Sequence, residues 1–336
     1  MRILIIGDRS GTNIGGCFER ASNSLNFNAR LIEARSAAEA PSWLRHINWR
    51  FRGHRPTWLK RFSREILETC YKWRPQYLIT TGIAPIAKNV LDEISHLVIR
   101  KINYLTDNPW NPSHKAQWFI EGLPLYDDIF SVRRSNLKDL QQLACRRVAY
   151  LPFAYEPELH HPDPPKTPAE HTQFDCDISF IGCADRDRVP YITALISSGF
   201  RIGLYGAYWE RYLVTKTHVK GYADPKTFRK VTSGSKVALC LVRRANRDGN
   251  SMRTFEIPAI GACMLTEDTE EHREIFGEEG KAVVYFQTID EMIEKLRWLL
   301  NHPDERTRLA EAAHYLMTQS RHTYKDRLIS MLNLSP

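Results

Sequence analysis

The chain has 336 residues, enough for about two domains, and its composition, 43% hydrophobic and 26% charged, excludes a disordered or low-complexity polymer. A formal charge of +8 directs attention to anionic partners: nucleotide phosphates, nucleic acid or anionic lipid. No apolar run reaches the roughly 18 residues of a membrane span, and the start MRILIIGD lacks the flanks of a signal peptide, so a cytoplasmic protein is expected.

Buried parallel strands read as short continuous apolar runs. The first half offers RILIIG, QYLITTG, KINYLT, DIFSV and RVAYLPFA, with helix-length spacers between several of them. Between the first two lies SWLRHINWRFRGHRPTWLKRFSRE, in segment 42–65, where seven Lys or Arg residues accompany Trp43, Trp49, Trp58 and a single acid. Three readings of it stand: a basic helical face with its tryptophans in the core, a surface for anionic membrane, or one that tracks a nucleic-acid backbone. YEPELHHPDPPKTPAEHTQ, with five prolines in 157–168, reads as a linker or a loop beside one. His160 and His161 within it lack further ligands at fixed spacing, so a surface loop is expected there rather than a metal site.

The second half repeats the style with CDISFIG, FRIGLYG, KVALCLV, ACMLTED and AVVYF, and two or three helices close the chain after IDEMIEKL. The fold class expected is α/β, with two open sheets of Rossmann-like type. The seven cysteines include no C-x-x-C pair and are expected as reduced thiols.

Open α/β sheets bind ligands beyond the carboxyl ends of their strands, so the loops after the apolar runs are the candidate sites. In GDRSGTNIGGCF, Gly11, Gly15 and Gly16 either let amides approach an anion ahead of a helix beginning near Cys17 or form a plain tight turn. In YLTDNPWNPSHK, Asp107 is a candidate base or hydroxyl acceptor, with His114 second and an Asx-turn the competing reading. In SFIGCADRDRVP, a strand ending at Gly182 delivers Arg186 and Arg188, either as a phosphate clamp or as a solvated loop. Tyr205, Tyr208, Trp209 and Tyr222 offer aromatic faces beside glycines, for a base or for the core.

The fifth stretch is RDGNSMRTFEIPAIGACMLTED. Asp248, Gly249, Asn250 and Ser251 lead into a helix whose first-turn amides, from Met252 onward, favour a phosphate, and Arg253 adds charge. Glu256 stands among Phe255, Ile257, Ala259 and Ile260, a setting with little open surface for an acid. Pro258 implies that the helix begins late or bends.

This second half resembles the GT-B glycosyltransferases, and more closely their spore-maturation CgeB-like branch, through ISFIG…R, YG..W, KGY, RTFEIPAIGACMLTED, EEHREIFGEEGKAVVYF and RHTYKDRLISML. The first half matches in style only. The resemblance implies two Rossmann-like domains facing across a cleft: 1–155 for the acceptor, 156–318 for a nucleotide sugar, and 319–336 as a helix crossing back to the first domain. It further implies a metal-independent hexosyl transfer from a nucleotide sugar, a UDP-sugar foremost, with no prosthetic group. Asp248 and Glu256, an acid, seven residues and a second acid, resemble the donor-site pair of retaining enzymes, with Asp where Glu is usual. On that likeness Glu256 binds the ribose, Asp248 lies near the transferred sugar, the amides of Gly249, Asn250, Ser251 and Met252 meet the pyrophosphate, and Arg186 or Arg188 clamps it. Asp107 is the base if the reaction inverts. The acceptor is open: a lipid-linked or other glycan at the inner membrane face, or modified bases in DNA. So is a GT-B module that binds without catalysis.

Overall fold

A computed structural model of the chain describes residues 1–113 and 115–333. They form two compact units: Met1–Pro152 together with the segment from Tyr324 onward, and Phe153–Thr323. The first boundary lies at 152/153 where the sequence suggested 155/156, and the second at 323/324 where it suggested 318/319.

Unit 1 contains β1 (Arg2–Gly7), α1 (Ile14–Ser24), β2 (Asn28–Glu33), α2 (Ser42–Phe51), α3 (Leu59–Trp73), β3 (Tyr77–Thr81), α4 (Lys88–Ser95), β4 (Arg100–Leu105), α5 (Gln117–Ile120), β5 (Asp128–Ser131), α6 (Leu137–Gln142) and β6 (Val148–Tyr150). The six strands form one parallel sheet in the order β2-β1-β3-β4-β5-β6. Ile3, Leu4, Ile5 and Ile6 of β1 are wholly buried, as a strand covered on both faces requires. The strand β2, NARLIE, is one the apolar-run criterion passes over. It sits at the sheet edge, each of its residues is exposed or half-buried, and an edge strand needs no continuous apolar run.

Unit 2 contains α7 (Pro168–Phe174), β7 (Cys176–Ile181), α8 (Val189–Ser197), β8 (Ile202–Tyr205), α9 (Pro225–Gly234), β9 (Ser235–Cys240), α10 (Met252–Ile260), β10 (Met264–Glu267), α11 (Glu270–Phe276), β11 (Val284–Phe286), α12 (Ile289–Asn301) and α13 (Pro303–Gln319). Its parallel sheet runs β11-β10-β9-β7-β8. The crossover between β8 and β9 steps over β7, so the loops after β7 and β9 open where the strand order reverses. The last helix, α14 (Tyr324–Leu332), belongs to unit 1 and packs on α1, where the Phe18 ring meets Tyr104 at 5.3 Å and Tyr324 at 5.7 Å, both edge to face.

Three local expectations are corrected. Helix α1 begins at Ile14, so Gly15 and Gly16 are in its first turn rather than ahead of it. A Cβ at Gly16 would lie 2.5 Å from the Arg9 carbonyl oxygen and one at Gly15 2.8 Å from the Asp8 backbone, so close packing of α1 on the β1 loop excludes side chains at both positions. Helix α10 starts directly after its loop and includes Pro258, which leaves the Thr254 carbonyl without its helical donor, and Gly261 takes the left-handed cap (φ 81°). The proline-rich stretch follows directly on the 152/153 boundary, a loop beside a linker, but His160 is buried there with Glu156 rather than on the surface.

Candidate functional site

The best-built polar site lies in unit 2, where β7 and β9 end and α10 begins. Helix α10 is amphipathic in an unusual sense: from Thr254 to Ile260 every residue is buried, Glu256 among them. Ser251 and Thr254 close a capping box at its start, with the Ser251 amide donating to Thr254 Oγ1 (3.0 Å). Ser251, Met252 and Arg253 are only half-buried, so this end of the helix is the part a ligand can reach.

Glu256 is enclosed by two basic side chains. One carboxylate oxygen is paired with Arg253, one helical turn earlier. The other lies 3.3 Å from His160 Nε2, and neither His160 nor Glu256 side chain is exposed. His160 Nδ1 accepts the Glu156 amide (3.0 Å), so the neutral ring carries its proton on Nε2, toward the carboxylate. Arg253 is anchored further by a hydrogen bond from Nε to the Ile181 carbonyl at the end of β7 (2.9 Å) and by the Phe228 ring, 4.3 Å beneath its guanidinium. Burial pushes its pKa down to about 10, which leaves it charged at neutral pH. A quarter of its side chain remains exposed.

Two more arginines converge on the same strand ends. Arg188 donates to the Leu241 carbonyl (2.9 Å) and approaches Asp185 (3.6 Å). Arg243 reaches the same Asp185 carboxylate (3.4 Å). Burial, and after it the positive charge of Arg243, pulls the Arg188 pKa down, while the Arg188 charge acts in the same direction on Arg253. Guanidinium groups held close enough to disfavour one another's charge, beside a helix N-terminus, make a place where an anion is stabilised. Asp248 is half-buried and close enough to stabilise the charge of Arg188.

The floor of the site is a second buried network. A Cβ on Gly249 would lie 2.5 Å from Glu271 Cδ, so a side chain there would have to displace the Glu271 carboxylate. Asn250 donates to the same Glu271, and Thr269 Oγ1 donates to the Gly249 carbonyl (2.6 Å). Thr254 Oγ1 contacts His272 Nε2 (2.9 Å), and His272 Nδ1 contacts the Glu267 carbonyl (2.7 Å). The loop from 248 to 251 is thereby tied to α11 and β10.

Residues 188–333 match the glycosyl transferase-like family. The spore protein CgeB of Bacillus subtilis (strain 168) is 22% identical over 241 residues, covering 66% of this chain and 71% of CgeB. Sucrose-phosphate synthase from Thermosynechococcus elongatus superposes with a TM-score of 0.70 at 9% identity, covering 99% of this chain and 98% of that one. The Anabaena protein HepE in complex with UDP-glucose gives 0.66 at 10% identity, with 99% of both chains covered.

The chain has the GT-B fold, and over residues 188–333 it is similar to the glycosyl transferase-like family.

Within this GT-B chain the structure brings Asp248, Gly249, Asn250, Ser251, Met252, Arg253 and Glu256 together with Arg188 and the end of β7, after which Gly182 follows. Gly182 accepts the Trp209 indole N–H on its carbonyl (2.8 Å). Arg186 is exposed beside this group. Tyr222 is exposed and close enough to Arg253 to act on its charge. Trp209 and Tyr205 are core residues, whereas Tyr208 is exposed under the Arg211 guanidinium. Asp185 accepts the Asp187 and Arg188 amides (3.0 and 2.9 Å), so the DRD sequence forms a turn.

In unit 1 the Gly16 amide is spent on the Asp8 carbonyl (3.0 Å), and close packing on the β1 loop leaves no room for a side chain at Gly15 or Gly16. Asp107 is half-buried two residues past β4 and accepts the Thr106 hydroxyl (3.2 Å). The Asx-turn belongs to its neighbour Asn108, whose side chain accepts the Trp110 amide (3.2 Å). His114 lies outside the described residues. Among those described, no group of three or more His, Cys, Asp or Glu could hold a metal ion, and no helix is long and apolar enough to cross a membrane.

Sequence reasoning missed two residues of the site. His160 was read as a surface residue because its proline-rich neighbours resemble a linker, and its partner lies far along the chain. Arg243 was passed over because a doubled arginine after a strand looks like solvated charge.

Proposed function

We propose that the protein transfers a sugar from a nucleotide-sugar donor, a UDP-sugar foremost, to an acceptor hydroxyl, and that the donor binds where α10 meets the ends of β7 and β9. The observation that carries this reading is Glu256: an acid with no exposure, faced by His160 on one oxygen and paired with Arg253 on the other, one turn into a helix whose first turn lies among arginines. A carboxylate is costly to bury and is kept where its acceptor oxygens serve a purpose. Support for the donor class comes from the family match and from HepE, whose structure contains UDP-glucose.

In this reading Glu256 accepts the ribose hydroxyls. Arg253 yields its oxygen to them and turns its exposed portion to the diphosphate, together with Arg186, Arg188 and the amides from Gly249 to Met252. As the bond between the sugar and the diphosphate breaks, charge accumulates on the departing phosphate, and fixed guanidinium and amide donors stabilise that charge without a metal ion. Asp248 stands by the transferred sugar, and the spacing from Asp248 to Glu256 favours retention. The acceptor's proton then passes to the departing phosphate oxygen as the new bond forms.

Calorimetry with UDP, UDP-glucose and other nucleoside diphosphates, with and without magnesium, on the wild type and Glu256→Gln tests the proposal. Magnesium-independent binding of a uridine ligand, weakened in the variant, is expected. Absence of binding by every nucleotide would overturn it. Binding without nucleoside diphosphate release across a broad acceptor panel would favour a binding module over an enzyme.

A further inference from the structure

Helix α2 is the least covered helix of unit 1. Of its ten residues only Asn48 is buried and Leu44 half-buried, and the Asn48 side chain is spent on the Leu44 carbonyl (2.9 Å). Trp43, Ile47 and Phe51 are 65%, 45% and 79% exposed. They recur every fourth residue, so they form one apolar stripe along the solvent side of the helix. Trp49 adds a further half-exposed ring, tilted against His54 with ring centres 4.4 Å apart. This is the reverse of a core helix, whose apolar stripe faces inward.

The charge around the stripe has one sign. Arg45, Arg50, Arg52, Lys60, Arg61 and Arg64 are exposed, and Arg55 is half-buried. In segment 42–65 only Glu65 opposes them. An apolar stripe of Trp, Ile and Phe bordered by Arg50, in a segment whose other exposed charges are nearly all basic, matches the boundary between anionic headgroups and acyl chains, where rings and aliphatic groups sink to the carbonyl level and arginines stay at the phosphates.

We propose that α2 is a docking helix for an anionic lipid surface, binding in the plane of the membrane without crossing it. Nucleic acid fits less well. Its backbone would satisfy the arginines, but Ile47 in the centre of the stripe has no flat face for a base to stack on.

The test is flotation of the intact protein with vesicles of phosphatidylcholine alone and of phosphatidylcholine with phosphatidylglycerol. Two variants are compared with the wild type: Trp43→Ser with Phe51→Ser, and Arg45→Gln with Arg50→Gln and Arg52→Gln. All five positions are exposed, and circular dichroism checks that each variant folds. The proposal expects binding to the anionic vesicles only, a blue shift of tryptophan fluorescence on binding, and a loss of partitioning of about tenfold or more in each variant. Equal partitioning of wild type and variants would overturn it. So would indifference to vesicles combined with binding of a single-stranded oligonucleotide, or a self-association abolished by Trp43→Ser with Phe51→Ser. Because this surface lies in unit 1 and requires no donor, its failure and that of the donor-site proposal are read independently.

Discussion

His160 Nε2 and Glu256 Oε1 face each other 3.3 Å apart, both side chains fully enclosed. The pair joins a loop from the start of unit 2 to the helix that follows β9, so the histidine fixes where the carboxylate stands. His160→Ala removes the basic group that faces that oxygen in a buried setting, which costs about 1–3 kcal/mol. Urea unfolding should register that loss. Donor KM should rise while kcat changes less, because the histidine acts through Glu256 rather than on the reacting atoms. Equal effects on both parameters would instead place His160 against the substrate.

Glu256→Gln keeps the shape of the side chain but removes the charge and one of its two acceptor oxygens. Loss of hydrogen bonds to a charged acceptor should weaken binding of UDP about 10- to 100-fold by calorimetry. Unchanged affinity would remove Glu256 from the donor site and leave it as a structural acid.

Arg253→Lys preserves the charge and loses the planar group that reaches the Ile181 carbonyl, spans to Glu256 and covers the Phe228 ring. A lysine cannot make the three contacts together. Donor affinity is expected to fall about tenfold, with a lower Tm, and an unaltered donor KM would exclude the arginine from the diphosphate.

Gly249→Ala drives a methyl group into Glu271, whose carboxylate also holds Asn250. Overpacking of this kind costs about 1–3 kcal/mol. Glu271→Ala removes the obstruction, so the double variant should be less destabilised than the sum of the two single variants. Strict additivity would show that the loop relaxes away from α11.

His272 is buried, and desolvation lowers its pKa below the usual 6.5. Above pH 6.5 the ring is neutral whether the chain is folded or not, and the group has no effect on stability. As pH falls below 6.5 the unfolded chain takes up a proton that the native site resists, so stability declines until the folded pKa is passed. Denaturant unfolding at pH 7.5 and pH 5.5 should show this decline, and His272→Asn should flatten it.

Among the described residues, ten of the eleven strands correspond to apolar runs that can be marked in the sequence, because burial on both faces of a parallel strand leaves a continuous signal. The exception, β2, is an edge strand whose half-exposed NARLIE carries no such run. Glu256 drew notice for a local reason, an acid among apolar neighbours. His160 did not, since what defines it is a contact across nearly a hundred residues. The exposure of Trp43, Trp49 and Phe51 was equally illegible, because α2 has the periodicity of a buried helix and only the folded chain shows that nothing described here covers it.

The return of α14 to α1 has a bearing on how the chain is made. Unit 2 is one continuous stretch, Phe153–Thr323, so it can fold once that stretch has left the ribosome. Unit 1 is emitted first but waits for Tyr324 and the turns after it to close over Phe18. Until then the nascent first sheet carries an open apolar flank on α1. Of these two units, the one translated first is therefore the one that closes last, and chaperone demand during translation should be concentrated on it.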